Sequence, residues 1–156
     1  MPNQFTDTSG WISTQTLAVT NGVYSVGDVV GGLITIPLCA SSAGRSSVLQ
    51  SIVLSGVVNL AYELWYFASD IATPAADNAV FTLVAADIAK CKGVLPVALT
   101  DWYNSTAAAF MAANKNTVGM RFNPVATTLY AYMKATVVTS PGTTVMTITH
   151  AGQYLD

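Results

Sequence analysis

The chain has 156 residues, 52% of them hydrophobic and only 9% charged, with a formal net charge of −2. Soluble domains ordinarily carry about 25% charged residues; here small neutral residues take their place, and a surface so thinly protected by charge tends to associate with something. The six cations, Arg45, Lys90, Lys92, Lys115, Arg121 and Lys134, are scattered, whereas phosphate backbones need clustered Lys and Arg, so no direct nucleic-acid partner is expected.

Residues 1–14 read as a polar N-terminal arm in which Phe5, Trp11 and Ile12 are isolated apolar residues. Such an arm cannot fold alone but can order on a neighbour. It has no cationic head followed by an apolar run, so no signal peptide is expected. Residues 15–156 read as one domain of short runs rich in Thr and Val, residue types that suit a pleated surface. The runs are separated by turn residues at Asn21-Gly22, Gly31-Gly32, Ser41 to Gly44, Ser55-Gly56, Pro74 to Asn78, Asn114 to Asn116 and Pro141-Gly142.

Between these turns, strands are expected at about Gln15–Thr20, Asp28–Ile36, Ser47–Leu54, Ala61–Phe67, Gly93–Thr100, Thr117–Phe122, Thr128–Val138 and Thr144–Thr149. Gly31-Gly32 lacks the spacing of a phosphate cradle and fits a strand bend or bulge. The most apolar stretch, Ser46 to Tyr62, is broken by Gln50, Ser51, Ser55, Gly56 and Asn59. A membrane-spanning helix wants about 20 mostly apolar residues, so no membrane partner is expected and the chain is read as soluble. Leu83 to Cys91 has helical spacing at Leu83, Ala86, Asp87 and Lys90, and the Ala-rich Ser105 to Asn114 admits a second helical turn. In the run from Leu129 to Val137, alternation assigns Leu129, Ala131, Met133, Ala135 and Val137 to the core. Together these features predict an all-β fold, a jelly-roll-like antiparallel β-sandwich of about eight strands with short helical turns in the connections.

Chemistry is hard to find. The single histidine, His150, is expected at the surface or on a sheet edge, and no G-x-S-x-G elbow accompanies it. Glu63 and Asp70 would serve glycoside cleavage only if their carboxyls stood roughly 5 to 9.5 Å apart, and nothing in their spacing asks for that. Cys39 and Cys91 have no histidines near them to make a zinc pattern, and two reduced buried thiols are favoured over a disulfide. No enzymatic activity, metal or cofactor is expected. Aromatic residues gather at Tyr62, Trp65, Tyr66 and Phe67 and again at Trp102 and Tyr103. Tyr62 and Phe67 are assigned to the core, and the others to a sheet edge or a subunit interface. The alternative is a platform of Trp65, Trp102 and Tyr103 that stacks on sugar rings, which would make a carbohydrate-binding sandwich.

The run from Tyr24 to Ile36 contains Asp28-Val29-Val30-Gly31-Gly32. It is followed by Leu49-Gln50-Ser51-Ile52, a strand ending in Trp65-Tyr66-Phe67, and Asp77-Asn78-Ala79-Val80-Phe81. In this order the motifs resemble a group of small virion structural proteins of tailed bacteriophages, over roughly Val23 to Leu155. In that group a D-V-[IV]-G-G strand precedes an I-x-S-I strand and a D-N-x-x-F loop. The proteins of this group resemble capsid decoration, or cement, proteins, which are jelly-roll sandwiches on the outside of the expanded head. The resemblance therefore implies a non-enzymatic virion protein on the capsid surface, made in the bacterial cytoplasm, whose partners are the major capsid protein and copies of itself as a dimer or trimer. Another virion part, in the tail or fibre base, is the alternative within that class. The interface is expected to use Phe5, Trp11 and Ile12 of the arm with Trp65, Trp102 and Tyr103. Removal of Met1–Ile12 should then weaken particle binding and leave the fold intact.

Overall fold

Alternation of β-branched and aromatic residues puts most of the chain into strands, as the pleat requires. The computed structural model describes residues 10–37, 39–40, 42–56, 60–104, 111–115, 118–142 and 145–155. In chain order these form β1 (Gly10–Ala18), β2 (Val29–Ile36), β3 (Ser47–Gly56), β4 (Tyr62–Phe67), a short helix α1 (Ala85–Lys90) and β5 (Cys91–Val97). A 3-10 turn (Leu99–Asp101) follows, then β6 (Trp102–Asn104), β7 (Met111–Lys115), β8 (Met120–Phe122), β9 (Leu129–Ala135) and β10 (Val145–Tyr154).

The strands make two antiparallel sheets. One runs β1-β10-β3-β7-β6 with β8 also on β3; the other runs β2-β9-β4-β5. The pairing is nested: β1 lies on β10, β2 on β9, β3 on β8 and β7, and β4 on β5. A chain doubled into one long hairpin and wrapped around itself gives this nesting, which is the jelly roll. β7 and β8 lie end to end along one side of β3, against Ile52–Gly56 and Ser47–Leu49. That division, with β6 beyond β7, turns about eight expected strands into ten among the described residues.

The core fills the space between the sheets. Leu17, Leu49, Leu54, Phe122, Met146 and Ile148 meet Ile34, Ile36, Leu64, Ala131 and Met133 across it, all buried. β9 keeps the expected parity, with Leu129, Ala131, Met133 and Ala135 buried, while Val137 lies beyond the strand and is partly exposed. Its other parity is not free to solvent. Residues 68–90, between β4 and β5, fold back over the outside of the four-stranded sheet. They bury Tyr132 with Val29, Phe67 and Ile71, and pack Phe81 and Leu83 against them. Ring contacts between Phe67, Phe81 and Tyr132, with centroids 5.5 to 6.4 Å apart, close this second core.

Three expectations change. Gly10–Thr14 belong to β1, paired residue by residue with Gln153 to Thr149, so the arm stops short of residue 10. Ser105 to Asn114 was read as admitting a helical turn; Met111–Lys115 is a strand on β3, and residues 105–110 lie outside the described residues. The short β6 had no counterpart among the expected strands. The helix expected within Leu83–Cys91 is present as α1. No helix among the described residues is long and apolar enough to cross a membrane.

Candidate interaction surface

Of the six residues expected to form an interface, two turn inward. The Trp11 indole is 5% exposed; its Nε1 donates to Ser47 Oγ at 2.8 Å, and its ring meets Phe122 edge-on at 6.1 Å. Ser47 Oγ in turn donates to the Gln153 carbonyl at 2.8 Å. Trp11 therefore anchors β1 inside its own sandwich rather than clasping a neighbour. Trp102 is also buried, donating to the Leu60 carbonyl at 2.7 Å and stacking edge-on against Tyr62. Ile12 and Tyr103 are exposed, at 77% and 69%, and Phe5 lies outside the described residues.

Trp65 lies half-buried on the outside of the four-stranded sheet. Its Nε1 donates to Glu63 Oε2 at 3.0 Å, and Lys134 Nζ sits 5.3 Å above the ring while pairing with the same carboxylate at 2.6 Å. Lys134, with Trp65 assisting, holds the Glu63 carboxyl below its usual range. Trp65 and Tyr103 thus belong to different sheets with Trp102 buried, so no sugar-stacking platform of the three is assembled.

His150 was expected at the surface or an edge. It is 1% exposed, on the inner face of β10, which lies between β1 and β3. Its Nε2 is 3.2 Å from the Tyr66 hydroxyl on the opposite sheet, with the rings edge-on at 5.8 Å. Loss of solvent pushes the imidazole down to about 3 and the Tyr66 hydroxyl upward, so the pair is neutral. The carboxylates are engaged too. Asp70 accepts from the Tyr132 hydroxyl and the Ile71 amide; buried Asp87 accepts from the Ala72 and Val84 amides and from Lys90 Nζ. Burial alone would raise the Asp87 carboxyl, but those donors outweigh it and keep it low. Asp101 pairs with Lys115 at 2.5 Å. Both cysteines are free thiols, Cys39 buried and Cys91 partly so. Among the described residues no His, Cys, Asp and Glu cluster could hold a metal ion, and no buried side-chain nitrogen or oxygen lacks a partner.

The motif residues converge on one structure at the end of the sandwich that carries the β1–β2 and β9–β10 connections. Asp77 is its hub: Oδ1 accepts from the Tyr24 hydroxyl at 2.7 Å and the Gly31 amide at 2.6 Å. Its Oδ2 accepts from the Thr20 amide at 2.8 Å and the Thr20 hydroxyl at 2.7 Å. Gly31 and Gly32 have φ of +78° and +69° and form a bulge in β2 that turns the Gly31 amide out to Asp77. Backbone bonds extend the structure: Tyr24 and Thr139 exchange two, Gly27 donates to Ala135, and Phe81 donates to Gly27. Asn78 donates to Val29 and Val29 to Ala79.

What this bracing displays is apolar. Val23, Val26, Val80 and Val138 are each 63% to 69% exposed, and Val137 38%. The backbone pairs just named bring the three segments that carry them side by side. Asp28 and Thr139 of these segments are buried, while five valines face water together with the exposed Ser25, Asn78 and Ser140; so valine-rich a rim fits contact with a partner surface that is itself largely apolar. Sequence reasoning missed it, although the D-V-V-G-G and D-N-x-x-F motifs that build it were singled out.

No family model and no curated protein matches the chain. Among solved structures, a chain of "Structure of infectious bursal disease virus Gx strain" aligns at 12% identity over 94% of this chain and 40% of that one, with a TM-score of 0.20. A likeness that weak carries no argument.

Proposed function

We propose that the chain is a non-enzymatic virion structural protein, a decoration protein that docks on the outside of a bacteriophage head and acts there as a homo-oligomer. The observation that carries this reading is the braced valine rim, a rigid apolar surface built by the very motifs that resemble the virion group. Pre-ordering the three segments through Asp77 removes the loop-ordering penalty that would otherwise weaken docking. Many copies on one lattice then add modest contacts into firm attachment. Buried, neutral or mutually paired reactive groups fit a protein that works by contact.

Cosedimentation with expanded and unexpanded heads tests it. Binding to expanded heads, abolished by Val26→Lys with Val138→Lys at an unchanged melting temperature, is the expected result. Binding to neither shell would move the protein to the tail or fibre base.

A further inference from the structure

We infer that the outer face of the six-stranded sheet is the self-contact of the protein, covered by the same face of a second copy about a two-fold axis. The inference rests on self-association being part of the proposed function, and it assigns that association to a surface other than the valine rim.

The fold treats its two outer faces in opposite ways. Residues 68–90 cover much of the outside of the four-stranded sheet, whereas among the described residues no comparable segment covers the outside of the six-stranded sheet. Ile12, Thr14, Thr16 and Ala18 of β1 are exposed there, as are Val145 of β10, Gln50 of β3 and Asn114 of β7. Solvated sheet faces are normally polar, with charged side chains among their residues. The six strands of this sheet hold no carboxylate, and their only Lys or Arg residues are Lys115 and Arg121. Lys115 is tied to Asp101 at the end of β7, and Arg121 sits in the short β8 on β3. The middle of the face, beside which Lys115 lies opposite Ile52, therefore carries no unpaired charge.

Two pairs of its polar side chains are already partnered within the face. Thr14 Oγ1 and Thr149 Oγ1 are 3.0 Å apart, and Gln50 Nε2 donates to Gln153 Oε1 at 3.0 Å. Covering them strands fewer hydrogen-bonding groups than covering free ones would. A surface without unpaired charge finds complementarity in another such surface, and a second copy supplies one. Size agrees: β1, β10, β3 and the β7/β8 pair span roughly 19 Å by 30 Å at ordinary strand spacings. A face-to-face pair would then bury on the order of 1,200 Å², at the threshold of a stable interface. Two such sheets pack about 10 Å apart with strands near 30°.

Val53, flanked by Thr149 on β10 and Asn114 on β7, lies in the middle of the face. Val53→Glu or Thr149→Arg would place an unpaired charge in the interface and weaken dimerisation by roughly a hundredfold. Sedimentation equilibrium of the full chain should show a two-copy mass for the wild type and one copy for these variants. Melting curves identify the variants that fold, and Val26→Lys should keep two copies. A wild type that sediments as one copy, or folded charge variants that both remain two copies, would overturn the assignment. Wild-type protein that is a single copy yet decorates expanded heads would sink this inference, and with it the self-association in the proposed function, while head decoration itself would stand. A dimer that binds no shell would do the reverse.

Discussion

His150 carries its imidazole into the space between the sheets because it shares the parity of Met146 and Ile148 on β10. The parity was visible in the sequence; a polar residue at the end of an alternating run was nevertheless read as exposed. The consequence is a pH dependence with a definite sign. The folded imidazole titrates at about 3 because burial disfavours its charged form, whereas an unfolded one titrates near 6.5. The unfolded chain therefore binds the proton first, and stability is full above pH 6.5 and falls steadily below it. Between pH 6.5 and 5 the loss should be about 2 kcal/mol by urea unfolding, and His150→Gln should flatten that segment. Asp77, Asp87, Asp101 and Glu63, all held low, contribute losses only at more acid pH, on descending through the carboxylate range. Gly152 makes a second residue-scale case. A Cβ there would collide with the Val48 carbonyl oxygen and the Trp11 indole, so Gly152→Ala should destabilise the sandwich by about 1 to 3 kcal/mol in the same measurement. Trp11→Ala, which empties the site from the other side, should remove about 3 to 5 kcal/mol.

At the scale of elements, residues 68–90 do two jobs, covering a sheet and bracing the β1–β2 connection through Asp77. Asp77→Asn keeps the shape but leaves one oxygen to accept where two served four donors, and replaces charged by neutral acceptance. It should cost about 2 kcal/mol, and amide exchange should quicken first at Thr20 and Gly31 and not in β3. The strands that sequence reading located best are those rich in Val, Ile, Leu and Tyr, such as β2, β3, β4 and β9, where local alternation and tertiary burial agree. It missed the start of β1 because Gly10–Thr14 contains one large buried side chain, Trp11, among small polar residues and an exposed Ile12, and its pairing partner, Thr149 to Gln153, is more than 130 residues away in sequence. β7 was misread because Ala112 and Ala113 suit a helix as well as a strand; the free side of β3 decides between them. The valine rim and the sheet face without unpaired charge were invisible for a different reason. Both are properties of segments that are distant in sequence and become neighbours only through pairing.

For the whole molecule, the relocated boundary of the arm changes how attachment should be tested. Removal of Met1–Ile12 would take the first three residues of β1, Trp11 among them, and so confounds docking with folding. Removal of residues 1–9 leaves β1 entire; it should preserve the melting temperature and reveal through shell cosedimentation whether Phe5 contributes. The nested topology also makes most strand pairings distant in sequence, which predicts folding in milliseconds to seconds by stopped-flow fluorescence. Pairing of Trp11 with Gly152 and of Ser13 with His150 has an outcome at the ribosome. Among the described strands β1 pairs with β10 alone, and β10 follows the other described strands in the chain, so the six-stranded sheet must wait with its edge on β3 open until residues 145–154 have been made. Nascent chains arrested before that point should be cut readily by protease, and chains released after it should resist.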